Sequence, residues 1–294
     1  MNHQTIGDRL FGILNFGCLA LIAFIVMYPL FFVLIASVSD AAAVLNGDVW
    51  LYPKGIHFEA YLKILRQDEM MNGYWNTIVY TVLGTAVNIA MTVLAAYPLS
   101  RQQFFGRSAI TALMVFTMFF SGGLIPSYLL VKQLGMLDTI WSMIIPGAVS
   151  VYNIIIMRTF FQTSIPKEVL EAALIDGCND FHILRKIVLP LSMPIIAVMI
   201  LLYSVGHWNS YFSALIYLSD RHMYPLQLFL RELLVLNQTF DTIAYFDEDI
   251  TKRMMEAESI KYAAVIVANL PVLLLYPFLQ KYFAKGMLVG AIKG

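Results

Sequence analysis

Six apolar runs place the first constraint on this chain. They lie at about Ile13–Ser37, Asn76–Leu99, Ser108–Leu130, Thr139–Phe160, Leu189–Trp208 and Tyr262–Phe283. Each reaches roughly the 20 residues that a helix needs to cross a ~30 Å hydrocarbon core. Strands of about ten alternating residues are absent, so helices are the spanning form. Composition agrees: the chain is 60% hydrophobic and 13% charged, whereas soluble domains stand nearer about 45–50% and about 25%. The first run, from Ile13 to Ile35, is longer than the ~7–15-residue core of a cleaved leader, so it reads as a retained span even though ASVSDAAA follows it. Pro29, Pro98, Pro126, Pro146, Pro194, Pro271 and Pro277 fall within these runs. In a bundle, neighbouring groups can satisfy the carbonyls that a proline frees.

Zero net charge gives no reason to expect a nucleic acid partner. No HExxH, GxSxG or P-loop pattern occurs, so no catalytic residue is assigned. The five histidines are scattered, and FDED at 246–249 lacks calcium-loop spacing, so no metal site is expected. Cys18 and Cys178 form no CxxC pair or disulfide framework.

Basic residues set the orientation. Arg9, the Arg101–Arg107 link, the group Arg158, Lys167, Arg185 and Lys186, and the tail residues Lys281, Lys285 and Lys293 fall on one side of a six-span path. That side reads as the cytoplasm and holds both termini. The other side then carries two long loops, about 40–75 and 209–261. The second is acidic and is expected to hold short helices such as Leu226–Leu236 and to contact something outside.

One polar segment interrupts the apolar pattern. Lys167, Glu168, Glu171, Asp176, Asp180, Arg185 and Lys186 would together cost on the order of 20 kcal/mol at mid-bilayer, so the segment lies outside the core. Its grammar is helix, turn, helix. Ser164 can cap the first helix, and Pro166 suits its first turn. Lys167–Ile175 holds good helix formers, and Asp176-Gly177 supplies a left-handed stop. Asn179 caps a second helix with an apolar face of Phe181, Leu184, Val188 and Leu191.

Glu171-Ala172-Ala173, then Gly177, then Ile187, Leu189 and Pro190, resembles the EAA loop of binding-protein-dependent ABC importer permeases. FFSGGLIPSYLL (119–130), IIPGAVSVYNIIIMRTFF (144–161), VGHWNSYFSALIYL (205–218), YPLQLFLRELL (224–234) and KGMLVGAIKG (285–294) extend the resemblance over nearly the whole chain. They are similar to the smaller-permease branch of the carbohydrate-uptake family: maltose-type importers and, closer, a subgroup linked to oligo- and polysaccharides including alginate.

The resemblance implies an all-α membrane protein with six transmembrane helices, a type I ABC importer permease fold with a cytoplasmic coupling helix. It divides the chain into an N-terminal span with its outer loop (1–70), a core permease domain (71–283, EAA loop 164–190) and a cytoplasmic tail (284–294). The chain would sit in a bacterial inner membrane and bind no cofactor itself. ATP and Mg would lie on a separate ATPase, present in two copies. The other partners would be membrane lipid, a second homologous permease forming a heterodimer, and a periplasmic or lipid-anchored solute-binding protein.

The same resemblance assigns the ATPase contact to Glu171, close packing to Ala172 and Ala173, the turn to Asp176 and Gly177, and the lever to Leu189 and Pro190. Lys285, Gly286 and Lys293 would add a tail contact. For the substrate path, Asn88 and Asn153 are amides inside apolar runs and need partners. Trp208, Asn209 and Tyr211 suit either an interfacial aromatic belt or a sugar contact. The alternative, a secondary carrier for a small polar solute, needs intramembrane charges that the runs hardly provide.

Overall fold

The computed structural model describes residues 6–243 and 257–274, all helix and loop with no strand among them. The helices are α1 (Ile6–Ala36), α2 (Ala41–Leu45), α3 (Glu59–Leu65), α4 (Asp68–Ser100), α5 (Arg107–Phe119), α6 (Leu124–Gln133), α7 (Ile140–Ile144) and α8 (Val151–Ser164). They continue with α9 (Lys167–Ile175), α10 (Asp180–Leu191), α11 (Met193–Trp208), α12 (Phe212–Tyr217), α13 (Leu226–Ile243) and α14 (Ala257–Leu274). Among the described residues, α1, α4 and α14 can each cross a membrane alone by length and composition, and two bent pairs raise the number to five if each is one span. The fourth expected run, Thr139–Phe160, is split into α7 and α8 by the Pro146-Gly147 segment.

Two other runs are bent rather than straight. Ser108–Leu130 turns by 112° between α5 and α6, where Gly123 takes φ +88°. Only a residue without Cβ adopts that conformation cheaply. Leu189–Trp208 turns by 81° at Ser192, between α10 and α11. Pro190 and Pro194 bracket this bend and cannot donate the backbone bonds that would straighten it. Pro29 and Pro98, by contrast, sit inside α1 and α4.

The described residues form two compact units, one holding the chain to Asp68 with Leu230–Asn269, the other holding Glu69–Phe229. In the first, α1 leaves almost every side chain from Leu10 to Leu34 exposed. A helix apolar all round has lipid as its solvent. Its far end is tied down: Ser37 Oγ meets Tyr61 Oη at 2.6 Å, and Asp40 N donates to the Lys54 carbonyl at 2.8 Å. Phe32 packs edge-on against Tyr262 at 5.9 Å.

The second unit is organised by α4, whose amphipathicity is inverted. Ile78, Val82, Leu83, Met91 and Leu94 point outward. Gly73, Thr77, Tyr80, Gly84, Asn88, Thr92 and Ala96 recur every three or four residues on the buried face, the period of one helical stripe. The first part of this stripe grips the loop leading into α13. Asn76 Nδ2 donates to the carbonyls of His222 (2.7 Å) and Tyr224 (3.1 Å), and Tyr80 Oη to that of Met223 (2.8 Å). Thr77 Oγ1 accepts from Leu226 N at 2.9 Å. Helix α13 begins at Leu226 as expected and runs past Leu236 to Ile243.

The turn between α6 and α7 is clamped by Asp138. It has φ +53°, donates its N–H to the Tyr217 carbonyl at 3.1 Å, and accepts from the N–H groups of Ser219 and Asp220. These two backbone donors hold its pKa below the ordinary aspartate value. The clamp is therefore complete above the unfolded-chain value of about 3.9 and is lost as pH falls through the lowered folded value. Asp138→Asn keeps a residue tolerant of positive φ but removes the charge. In thermal unfolding from neutral to acid pH, wild type should lose stability relative to this variant below the ordinary carboxylate range. Parallel pH curves would rule the clamp out.

Candidate functional site

The polar segment folds as a hairpin of α9 and α10. Helix α9 covers the expected residues, but its N-cap is Pro166, with no side-chain cap. Ser164 Oγ is instead buried without a partner, because α8 continues through Ser164 and keeps that residue out of the cap position. The stop follows the expected chemistry. Gly177 has φ +76°, its N–H donates to Leu174, and Cys178 N–H donates to Ala173, both at 3.0 Å. This is a Schellman closure, which favours glycine at the left-handed position. Asn179 Oδ1 caps α10 by accepting from His182 N at 2.8 Å.

Helix α10 departs from the expected face. Leu189 N–H reaches back five residues to the Leu184 carbonyl, a wider π-type turn over Leu184–Val188. Pro190 follows directly and has no N–H for the normal ladder. The wide turn places residues five apart on one side, so Ile183 and Val188 are both buried, together with Leu184. Phe181 and Leu191, which a uniform 3.6-residue period assigns to that face, are exposed.

This face joins a core with Ala96, Tyr97, Met157, Phe161 and Ala173. Ala173 therefore packs within its own chain, while Glu171, Ala172, Leu174, Ile175, Asp176 and Gly177 stay exposed. Leu189 is half-buried and Pro190 exposed. A polar relay ties the hairpin to α4: Arg101 Nη2 donates to Tyr97 Oη (2.6 Å), and Tyr97 Oη to the Asp180 carbonyl and carboxylate (both 3.2 Å).

Toward the other end of α4, its polar stripe meets α11. Asn88 Nδ2 donates to the Gly147 carbonyl at 2.6 Å, which leaves Oδ1 to accept from His207 Nε2 at 2.6 Å. Thr92 Oγ1 meets Tyr203 Oη at 2.7 Å and Thr85 Oγ1 meets Ser204 Oγ at 3.2 Å. The Asn88–His207 pair borders a cavity of about 230 Å³, also lined by Ser142, Gly147, Tyr203, Ser210 and Ser213. That is ample room for water, which needs only about 10–15 Å³ of such space, and Met143, Pro146 and Leu202 complete a mixed polar and apolar lining. No Asp, Glu, Lys or Arg lines it.

Of the residues expected on a substrate path, only Asn88 lines this cavity. Asn153 lies in the first turn of α8, where its N–H is capped by Ser150 Oγ. Trp208 is buried, edge-on to Tyr74 at 6.1 Å, and so presents no face for stacking on a sugar. Asn209 bonds to its own helix at Val205 and accepts from Gln227. Tyr211 is exposed and packs on Phe212. Sequence reasoning missed His207, Tyr203 and Ser142. The available signal was polar residues at helical spacing within apolar runs: Thr85, Asn88 and Thr92 on one helix, Tyr203, Ser204 and His207 on another. FDED at 246–249 and Lys285, Gly286 and Lys293 lie outside the described residues.

This constellation, an inverted polar stripe joined to a hairpin held outside the spans, belongs to a transport component. Residues 19–289 match the family of binding-protein-dependent transport system inner membrane components, and the chain belongs to that family. It is 42% identical over 287 residues to the polygalacturonan/rhamnogalacturonan transport system permease protein YtcP of Bacillus subtilis (strain 168), covering 98% of this chain and 99% of the relative. It is 39% identical over 292 residues to protein LplC of the same organism, covering 99% and 98%. Its fold matches one chain in the crystal structure of a bacterial ABC transporter involved in the import of the acidic polysaccharide alginate. That match has a TM-score of 0.86 and 34% identity, and covers 96% of this chain and 100% of the other.

Gly84 tests the Asn88–His207 pair. A Cβ there would stand 2.4 Å from the His207 ring, whereas one at Gly206 meets nothing within 4 Å. Gly84→Ala should destabilise the purified protein by about 1–3 kcal/mol, the usual cost of overpacking, and impair uptake. Gly206→Ala, although it also borders the cavity, should leave stability unchanged. Equal melting temperatures for the two variants would show that the ring is free to move aside.

Proposed function

We propose that this chain is the smaller transmembrane subunit of an ATP-driven carbohydrate importer, and that its cargo is an acidic oligo- or polysaccharide delivered by an extracytoplasmic binding protein. The observation that carries the reading is the α9–α10 hairpin. It exposes Leu174, Ile175 (87% exposed) and Phe181 (68%) beside Glu171 and Ala172, on a segment too charged for lipid. Large apolar side chains exposed there need a protein partner. A separate cytoplasmic ATPase, present in two copies and holding ATP and Mg, fits that surface. Glu171 suits a charge-assisted bond to a basic group, Ala172 allows close approach, and Ile175 and Phe181 supply apolar anchors.

Transmission follows from the packing. A push on α9 reaches the core through Ala173, and α10 carries it through the π-type turn to the bend at Ser192 and on into α11. There His207 and Tyr203 border the cavity. A second, homologous permease would complete the pathway, and both termini would lie on the ATPase side, with the tail residues Lys285, Gly286 and Lys293 close to it. Support for an acidic cargo comes from the relatives that carry polygalacturonan or alginate, and from a lining of neutral hydrogen-bonding groups with no carboxylate to repel a uronate.

In the reconstituted complex, Glu171→Ala and Ile175→Ser should each lower substrate-stimulated ATP hydrolysis by about fivefold or more, as expected for interface anchors worth over ~1 kcal/mol. Assembly of the membrane subunits should be unaffected. Gly177→Val forces a branched side chain into positive φ and should uncouple hydrolysis from transport. Uronate oligosaccharides with the binding protein should stimulate the ATPase, and neutral glucose oligomers should not. Stimulation by the neutral sugars alone would overturn the cargo assignment, and full coupling in both loop variants would overturn the docking surface.

A further inference from the structure

The cavity beside α4 and α11 is a cleft with a buried floor and an open rim. Asn88, Ser142, Met143 and Tyr203 form the floor and are all buried, whereas Pro146, Gly147, Leu202 and Gly206 on the rim are exposed. The two rim glycines keep the mouth open, since a Cβ at either would meet nothing within 4 Å. Asn88 fixes the ring of His207 on the wall. Its Nδ2 donates to the Gly147 carbonyl, so its Oδ1 is the acceptor and His207 Nε2 carries the proton of their bond. Two hydroxyls are left over. Ser210 and Ser213 line the cleft, both partly exposed, and neither Oγ is hydrogen-bonded to any described residue. Ser210 sits on the turn after α11, where its N–H donates to the His207 carbonyl at 3.1 Å, and Ser213 lies in the first turn of α12.

These features select the ligand by its surface. No Asp, Glu, Lys or Arg lines the cleft, so nothing in it balances the charge of a bound ion. An acyl chain would cover Met143, Pro146 and Leu202 but would bury the Ser210 and Ser213 hydroxyls without partners, which is unfavourable. A sugar ring carries both kinds of surface: C–H faces for the apolar wall, and hydroxyls that donate to serine and accept from it. Size narrows the choice. At about 230 Å³ the cleft falls below the ~300–1,000 Å³ of pockets that enclose drug-sized ligands, so it takes one ring and not an oligomer.

We propose that this cleft is a subsite for one sugar ring of the transported chain, held by the hydroxyls of Ser210 and Ser213 against the apolar wall. The smaller subunit then contacts the cargo itself. Asn88 and His207 are positioning residues: their bond ties α4 to α11 and keeps the wall in place. Where the ring is a uronate, its carboxylate stays at the exposed rim, because nothing in the lining balances it. The inference rests on the carbohydrate-import reading but not on which sugar is carried.

Uptake into proteoliposomes holding the whole transporter, with saturating binding protein, tests this. Trigalacturonate is the probe, and maltotriose replaces it if wild type takes up only the neutral sugar. The Ser210→Ala/Ser213→Ala double variant should assemble and keep the ATPase stimulation given by loaded binding protein. It should nevertheless take up sugar about tenfold more slowly, as expected for two lost hydrogen bonds. Gly206→Leu grows a side chain into open space at the rim and should give the same split, with an unchanged melting temperature. Gly206→Cys reports occupancy, read by mass on the peptide that carries it. Loaded binding protein with ATP should slow its alkylation by a maleimide, and unloaded binding protein with ATP should not. Wild-type uptake by either the double variant or Gly206→Leu overturns the subsite. So does alkylation that is already blocked without sugar, which would show the cleft covered by the second permease. Uptake of maltotriose alone removes the acidic cargo and leaves the subsite to be decided by the same variants. Uptake of neither sugar removes the carbohydrate reading and the subsite with it.

Discussion

A polar group inside a bilayer must find its partner within the protein, because neither lipid nor bulk water supplies one. Helix α4 takes that constraint and turns it into architecture. Its outward face is apolar and meets lipid without cost. Its inward face carries Asn76, Thr77, Tyr80, Thr85, Asn88 and Thr92, and each of these finds its partner on another segment. In water the hydrophobic effect would drive such a helix to pack the other way round. In lipid that drive between helices is absent, and hydrogen bonds with small-residue contacts decide what lies next to what. Individual bonds of this kind contribute modestly, on the order of 0.6 kcal/mol each. Their larger effect is on register: α11 can slide past α4 only by breaking several at once.

The α9–α10 hairpin depends on the same helix. Tyr97, near the end of the stripe, receives Arg101 and reaches Asp180, so the start of α10 is held to the end of α4. The wide turn over Leu184–Val188 then sets which side of α10 faces the core. A hairpin attached at both its α9 and α10 faces, with its tip exposed, transmits force better than a flexible loop. The bend at Ser192 joins it to α11. The cavity lies at the far end of that helix, so hairpin and cavity are linked through one continuous element.

Much of this is legible from residue order. The all-helical membrane class, the α9 boundaries, the Gly177 stop and the Asn179 cap follow from local rules, because their causes lie within four residues of the positions concerned. The failures are also physical. Ser164 looked like a cap because Pro166 signals a helix start, yet α8 continues through Ser164. Phe181 and Leu191 looked buried because a uniform helical period was applied across Pro190, and one wide turn shifts that period. Trp208 looked available to a sugar because an aromatic at a span end commonly faces the interface; its burial against Tyr74 depends on a residue 134 positions away.

What the sequence by itself determined is therefore the solvent, the secondary structure and the place of the polar hairpin. Hydropathy, caps and glycine stops are properties of short stretches. The tertiary structure alone decided the pairing of Asn88 with His207, the cavity they border, the inward turn of Ala173, and the bond from Arg158 to Thr111. Each joins residues far apart in the chain. Which polar group satisfies which is settled only when helices that are equally apolar outside are brought together by their inner faces.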